Sequence, residues 1–346
     1  MKIEKKVLGT LEKCYAVAPL HWQNKDHLLI AAEKQDPCLL FDIEGNQECT
    51  VWEGPGGTMS IVQVPGSDGV FLATHKFYSP NDSKEAKIVC VRPENGGWSV
   101  KTIVELPFVH RFDIIRRGGV NYLIACALKS GHEYKEDWTH PGKVFACVLP
   151  DDLSGYSEDN QLKLTCISEN MTRNHGYYKI AGKDGDAALV SCEEGVFRFA
   201  PPAVPGGEWE IELLLDKPAS DAVLLDLDGD GKDELALISP FHGNSVCIFH
   251  QEVNGFRQVY EYPTADFAHA IFGGSLCGSP ALVIGHRKGE RDLLAFRWDK
   301  EAGVYTVETI DHDCGPANVY HFVHGDKDVI VSTNREINEI AMYIIE

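Results

Sequence analysis

The sequence predicts an all-β chain whose residues 1–346 form one seven-bladed β-propeller, a ring of four-stranded antiparallel blades around a channel. Three observations carry this. Seven short apolar runs recur along the chain, each ending in small or polar residues. Each run is followed by a second apolar strand and, in six copies, by a third strand of alternating polarity. The strand missing from the seventh copy has a counterpart at the N-terminus, where "KKVLGTL" (5–11) has nothing upstream to pair with. Helical periodicity is nowhere sustained, which sets α/β folds aside.

The elements follow in order. The repeated runs are "DHLLIAAE" (26–33), "GVFLATH" (69–75), "NYLIACAL" (121–128), "AALVSCE" (187–193), "DELALIS" (233–239), "PALVIGH" (280–286) and "DVIVSTN" (328–334). Near-continuous apolar character marks strands buried on both faces. Their successors, such as "PCLLFDI", "SVCIFH" and "EIAMYII", are also apolar, whereas "WSVKTIVE" or "YTVETID" alternate as half-exposed outer strands do. A shorter stretch ahead of each run, for example "RFDIIRR" or "HAIFGGS", supplies the innermost strand. The N-terminal strand completes the last blade and closes the ring.

A net charge of −20 and the lack of any Lys/Arg-rich run disfavour nucleic acid and anionic membrane surfaces as partners. No apolar run approaches the roughly 20 residues that span a bilayer, and the N-terminus lacks a signal-peptide pattern, so a cytoplasmic location is expected. Eleven cysteines with no CxxC pair read as small buried hydrophobes in a reducing compartment, not as a disulfide or zinc framework. No GxSxG elbow is present for a serine nucleophile.

The repeat lets blades be compared with one another. The start of each inner strand falls at Ala16, Thr58, His110, His175, Asp221, His269 and Asn318; the end of each buried run falls at Glu33, His75, Ala127, Glu193, Pro240, His286 and Asn334. Antiparallel neighbours place both columns at the same end of the sheet, so one mouth is expected to gather five histidines, three carboxylates and two asparagines. Concentrated imidazole and carboxylate suit proton transfer or metal binding. The longest loop on that side, "KSGHEYKEDWTHPGK" (129–143), brings Lys129, His132, Trp138 and His140 as a lid or binding loop. "PFHGNS" and "GHRKGER" add His242, Arg287 and Lys288. A Trp among cationic groups suits a sugar.

The stretch "DLDGDGKDEL" resembles the calcium loop of FG-GAP or VCBS repeat propellers. "HRFDII", "YLIACALKSGHEYKEDWTHPG", "NHG", "DLDGDGKDELALISPFHG" and "GHRKGERDLLAF", in this order, resemble the propeller domain of fungal aldos-2-ulose dehydratase and its bacterial relatives. The resemblance implies a metal-assisted lyase eliminating water from a keto-sugar such as 1,5-anhydrofructose. It falls on His110, Arg111, Lys129, Trp138, His175, His242, His286 and Arg287. The cupin domains of the fungal enzyme have no counterpart in these residues, so the resemblance extends to the elimination alone.

β-Elimination beside a ketone needs a base, an acid and an electrophile. Acid–base candidates are His110, His175, His269, Glu193 and Lys129. Substrate contacts are expected from Arg111, Trp138, His140, Arg287 and His75. A divalent transition ion or Mg²⁺ is expected on His175, His242 and His286. The same chemistry would serve elimination from a 3-keto-glycoside; the alternative is a non-catalytic propeller that binds a glycan or protein. Asp226, Asp228, Asp230 and Glu234 are expected to hold a structural Ca²⁺ at the turn between the two inner strands of blade five, at the opposite end of the sheet from the histidines.

Overall fold

Alternating short apolar runs and tight turns leave the chain one way to bury itself: antiparallel hairpins stacked face to face. The computed structural model describes residues 1–346 and contains seven four-stranded antiparallel sheets, each built from consecutive strands except the last. In blade 3, for example, strands a to d are Val109–Arg117, Val120–Lys129, Pro141–Val148 and Thr165–Met171. The last blade consists of Asn318–His324, Lys327–Asn334, Glu339–Ile345 and, outermost, the N-terminal strand Ile3–Thr10. That closure runs from Ile3 opposite Ile345 to Thr10 opposite Glu339. The expected ring and its N-terminal clasp are therefore both present.

Strand b of each blade is buried on both faces, as its unbroken apolar character requires. Val120–Lys129 has eight successive buried residues after its first two, and Lys25–Ala32 has six. The core lies between adjacent blades and not in the channel. One cluster joins Leu29, Leu40 and Trp52 of blade 1 to Phe71, Val89 and Val91 of blade 2; another joins Ala236 and Ile248 of blade 5 to Leu282 and Phe296 of blade 6. Truncating one of these leucines to alanine removes about 2–5 kcal/mol. The channel is lined by apolar and polar residues alike, Met59, Ile61, Phe112 and Ile271 beside Arg111, Asp113, Asp221 and Asn318.

Blade 2 departs from the pattern, with an inner strand of only three residues, Ile61–Gln63. The chain reaches it through "GPGG", where Gly56 and Gly57 accept the amides of Lys76 and Phe77. A Cβ on Gly56 would lie 1.6 Å from the Lys34 carbonyl oxygen, and Gly57 has φ +74°. Only glycine permits both the approach and the conformation.

Candidate functional site

The inner strands of blades 1, 3 and 6 begin with a β-bulge, which inserts one residue and re-aims its side chain. In blade 3 Val109 pairs with Ala127 and Arg111 with Cys126, leaving His110 as the extra residue. Blade 6 treats His269 the same way, between Ala268 and Ala270, and blade 1 does so with Tyr15, between Cys14 and Ala16. In blade 4 the His175 amide donates to Ser191, which also pairs with Gly176. The blade 1 member of the column is thus Tyr15 and not Ala16. Aligning Cys-Tyr-Ala with Val-His-Arg and Ala-His-Ala, residue by residue, would have revealed it.

These residues meet a histidine from a loop. His242 follows strand b of blade 5, has φ +47°, and its ring is stacked between Phe241 (centroids 3.9 Å) and Phe267 (4.1 Å). A positive φ on a bulky residue is uncommon and marks a conformation held for a reason. Its Nε2 lies 3.2 Å from His175 Nε2, and ligating atoms of His175, His242 and His269 all fall within 4.8 Å of one another. The His110 ring packs on His175 at 4.5 Å.

The hydrogen bonds set the tautomers. His175 Nδ1 donates to Asp221 Oδ2 at 3.0 Å and faces the Ser220 carbonyl at 3.2 Å; His269 Nδ1 donates to the Ala317 carbonyl at 2.6 Å; His110 Nδ1 donates to the His175 carbonyl at 3.2 Å. Carbonyl and carboxylate oxygens only accept, so each Nδ1 carries the proton and each Nε2 presents a lone pair. Burial, reinforced by mutual repulsion and nearby arginines, holds His110, His242 and His269 well below the usual imidazole range, so they stay neutral. The Tyr15 hydroxyl donates to His269 Nε2 at 3.0 Å, and burial pushes it up to about 12.

This donor set fits a divalent ion. Tetrahedral ligation at about 2.0–2.1 Å puts imidazole nitrogens roughly 3.3 Å apart, close to the His175–His242 spacing. The Asp221 carboxylate behind His175 is the kind of partner that orients a ligating imidazole and raises its basicity. Beneath the cluster the channel holds a cavity of about 210 Å³ lined by Arg111, Asp113, Tyr177, Asp221, His269 and Asn318. Arg111 is fixed there by the Met59 carbonyl (2.8 Å) and Asn318 Oδ1 (3.1 Å). Burial pushes Asp113 up to about 6. Two wider grooves of about 630 and 730 Å³, along the junctions of blade 1 with blades 2 and 7, contain none of these groups.

The other expected residues are engaged with partners outside the His175–His242–His269 trio. His286 Nδ1 is 2.9 Å from the Lys288 carbonyl, and its Nε2 accepts the Asp292 amide at 3.4 Å, so it organises its own loop; the atoms that converge with those of His175 and His242 are those of His269 instead. His75 packs on Trp52 at 4.7 Å, and burial lowers it to about 3. Lys129 is fully buried, donates to the Asp137 carbonyl (2.8 Å) and Asn81 Oδ1 (3.2 Å), and sits 4.1 Å from the Trp138 ring. Those contacts spend its three protons on holding the 130–140 loop. Trp138 packs against Phe241 at 5.4 Å, which makes that loop a cover over the cluster. His140 is turned to Asp137 at 3.6 Å, Glu193 pairs with Arg173 at 2.9 Å, and Arg287 pairs with Glu336 at 2.7 Å over the Phe267 ring.

The aspartate turn lies at the far end of blade 5, where Leu225 pairs with Glu234, while Asp221 and Ile238 mark the histidine end. Its side chains accept their own amides: Asp226 from Gly229 (2.7 Å) and Gly231 (3.1 Å), Asp228 from Asp230 (2.9 Å), and Asp230 from Lys232 (2.8 Å). Asp226, Asp228 and Asp230 converge, but Glu234 converges separately with Asp228 and His250. The expected four-carboxylate shell is therefore divided into two groups sharing Asp228.

Fold and site together define a seven-bladed β-propeller whose channel is capped at one end by buried imidazoles. No family model and no curated protein matches the chain. Among solved structures it is similar to BBS1N, solved in complex with ARL6DN (TM-score 0.58, 11% identity, covering 99% of this chain and 95% of that one). It is also similar to the Dos1 propeller (TM-score 0.54, 9% identity, 93% and 76% covered). At such identities the likeness extends to the fold alone.

Proposed function

We propose that the chain is a metal-assisted carbon–oxygen lyase acting on a keto-sugar such as 1,5-anhydrofructose or a 3-keto-glycoside. The convergence of ligating atoms of His175, His242 and His269 beside a cavity that Arg111, Asp113, Asp221 and Asn318 line supports this reading. Those three residues would hold a divalent transition ion, since an all-imidazole set does not suit Mg²⁺, with Asp221 orienting His175. When bound, the ion supplies Lewis acidity to a ketone oxygen.

The protein's own groups supply the rest. His110, neutral and with Nε2 unprotonated, takes the proton α to the ketone. The Tyr15 hydroxyl, displaced from His269 Nε2 once an ion binds that nitrogen, has its proton free for the departing oxygen. Arg111 and Asn318 grip substrate hydroxyls across the cavity, whose volume suits one sugar ring, below the range of about 300–1,000 Å³ of pockets for larger ligands. Phe241, Phe267 and the Trp138 loop exclude water from above. The resemblance to the aldos-2-ulose dehydratase propeller supports the substrate class, and eleven free thiols agree with a reducing, cytoplasmic setting.

The test is turnover of 1,5-anhydrofructose and a 3-keto-glucoside by metal-stripped and reloaded protein, followed by enone absorbance. Turnover should fall at least about 100-fold on stripping and return with the ion; turnover indifferent to chelation would remove the ion from the mechanism. A second reading, a propeller that binds a protein partner, draws support from BBS1N having been solved with ARL6DN. It expects no turnover of either sugar, and no metal retained at the histidines.

A further inference from the structure

We propose that the acidic turn of blade 5 holds a first-row transition ion through Asp228, Glu234 and His250, in place of calcium held by its aspartates. The site is separate from the histidine cluster and stands or falls independently of the lyase reading.

Strand pairing builds it. Leu235 on strand b (Glu234–Ser239) faces Phe249 on strand c (Ser245–Glu252), which sets Glu234 beside His250 across the ladder. The turn then folds Asp228 back over the same point. Ligating atoms of the three residues lie within 4.8 Å of one another, with His250 Nε2 3.6 Å from Asp228 Oδ2. The Tyr305 hydroxyl of blade 6 reaches His250 Nε2 at 3.1 Å, so the site lies at a junction between blades.

The oxygens divide in the same sense. Each Asp226 oxygen accepts an amide, from Gly229 and Gly231, and Asp228 Oδ1 accepts that of Asp230, while Asp228 Oδ2 accepts none and is turned toward His250. Glu234 is 1% exposed; its Oε2 accepts the Leu227 (2.7 Å) and Asp228 (3.2 Å) amides, and its Oε1 has no donor. A buried carboxylate beside Asp226 and Asp228 is relieved either by a proton or by a bound cation. Lys300, which comes up against Gly229, forms no ion pair with any of them. An imidazole nitrogen with two carboxylates is a ligand set for Zn²⁺, Fe²⁺ or Mn²⁺, whereas Ca²⁺ takes six to eight oxygens.

The experiment uses the full chain with His242→Ala, which disables the cluster at the other end, stripped of metal and titrated with Co²⁺ while its visible spectrum is followed. One equivalent should bind, resist about 1 mM Ca²⁺, and bind at least about tenfold more weakly after His250→Gln is added. An unchanged metal-free melting temperature in the His250→Gln protein shows that it folds; if it does not fold, Asp228→Asn gives the same readout. Absence of a Co²⁺ equivalent, Ca²⁺ displacing it, or a Co²⁺ affinity indifferent to either substitution would overturn the proposal.

Discussion

At one end of the propeller, Tyr15, His110, His175, His242 and His269 come from five blades and from positions up to 254 residues apart. At the other, Asp226 to Glu234 form one turn from nine consecutive residues. The turn is held from within: Asp226, Asp228, Asp230 and Glu234 each accept at least one amide two to seven residues away. The histidine cluster cannot do so. Its Nδ1 atoms lean on the backbone and side chains of the next blade, as His110 does on His175, His175 on Ser220 and Asp221, and His269 on Ala317. A local motif tolerates loss of its surroundings, whereas a site shared among blades depends on the closed ring.

That contrast can be broken or sharpened in several ways, taken from the largest effect to the smallest. His242→Ala should cost at least about 100-fold in keto-sugar turnover and release metal from the channel end, measured by turnover and metal content together. Asp221→Asn keeps the shape but weakens the acceptor behind His175. Metal affinity at that end should fall about 10–100-fold, with the loop site unaffected in a Co²⁺ titration.

His75 separates packing histidines from functional ones on the same side. Its folded-state pKa of about 3 lies below the unfolded value, so the unfolded chain binds the extra proton on acidification. Its contribution is complete above about pH 6.5 and is lost as pH falls toward 3, amounting to about 2 kcal/mol at pH 5. His75→Phe should flatten that part of the stability profile in urea melts and leave turnover at neutral pH as it was. Smallest is Gly231→Ala in the acidic turn. With φ +90° and open space around the missing Cβ, only the backbone is strained, and a loss of about 1 kcal/mol in melting experiments should come with no change in turnover.

The blade architecture was legible because strand burial writes itself directly into residue type. Runs such as "NYLIACAL" are apolar throughout, and an unpartnered N-terminal strand had one place to go. His110, His175 and His269 were also legible, since the repeat put them in comparable positions, and His242 because its loop follows strand b on the same rim. Tyr15 was missed because a β-bulge shifts the register by one residue, and bulges leave no mark in a hydrophobic pattern. His286 was grouped with the ligands because its strand ends at the right height, yet its ring turns back to its own loop. Lys129 looked reactive from its place in a long polar loop, but Asp137, Asn81 and Trp138 spend it as a lock, with burial lowering its pKa. His250 drew no attention within "SVCIFH", because nothing in a strand-like run says that it faces Glu234 across the ladder.

By itself the sequence determined the seven-fold repeat, the antiparallel order within each blade, the N-terminal closure, and the separation of a histidine end from an aspartate end. Those properties follow from periodicity and chain connectivity, which are one-dimensional. Only the tertiary structure decided which nitrogens converge, which protons sit on Nδ1, and which charged groups are spent on packing. These depend on side-chain direction and on neighbours in adjacent blades, and a linear pattern carries neither.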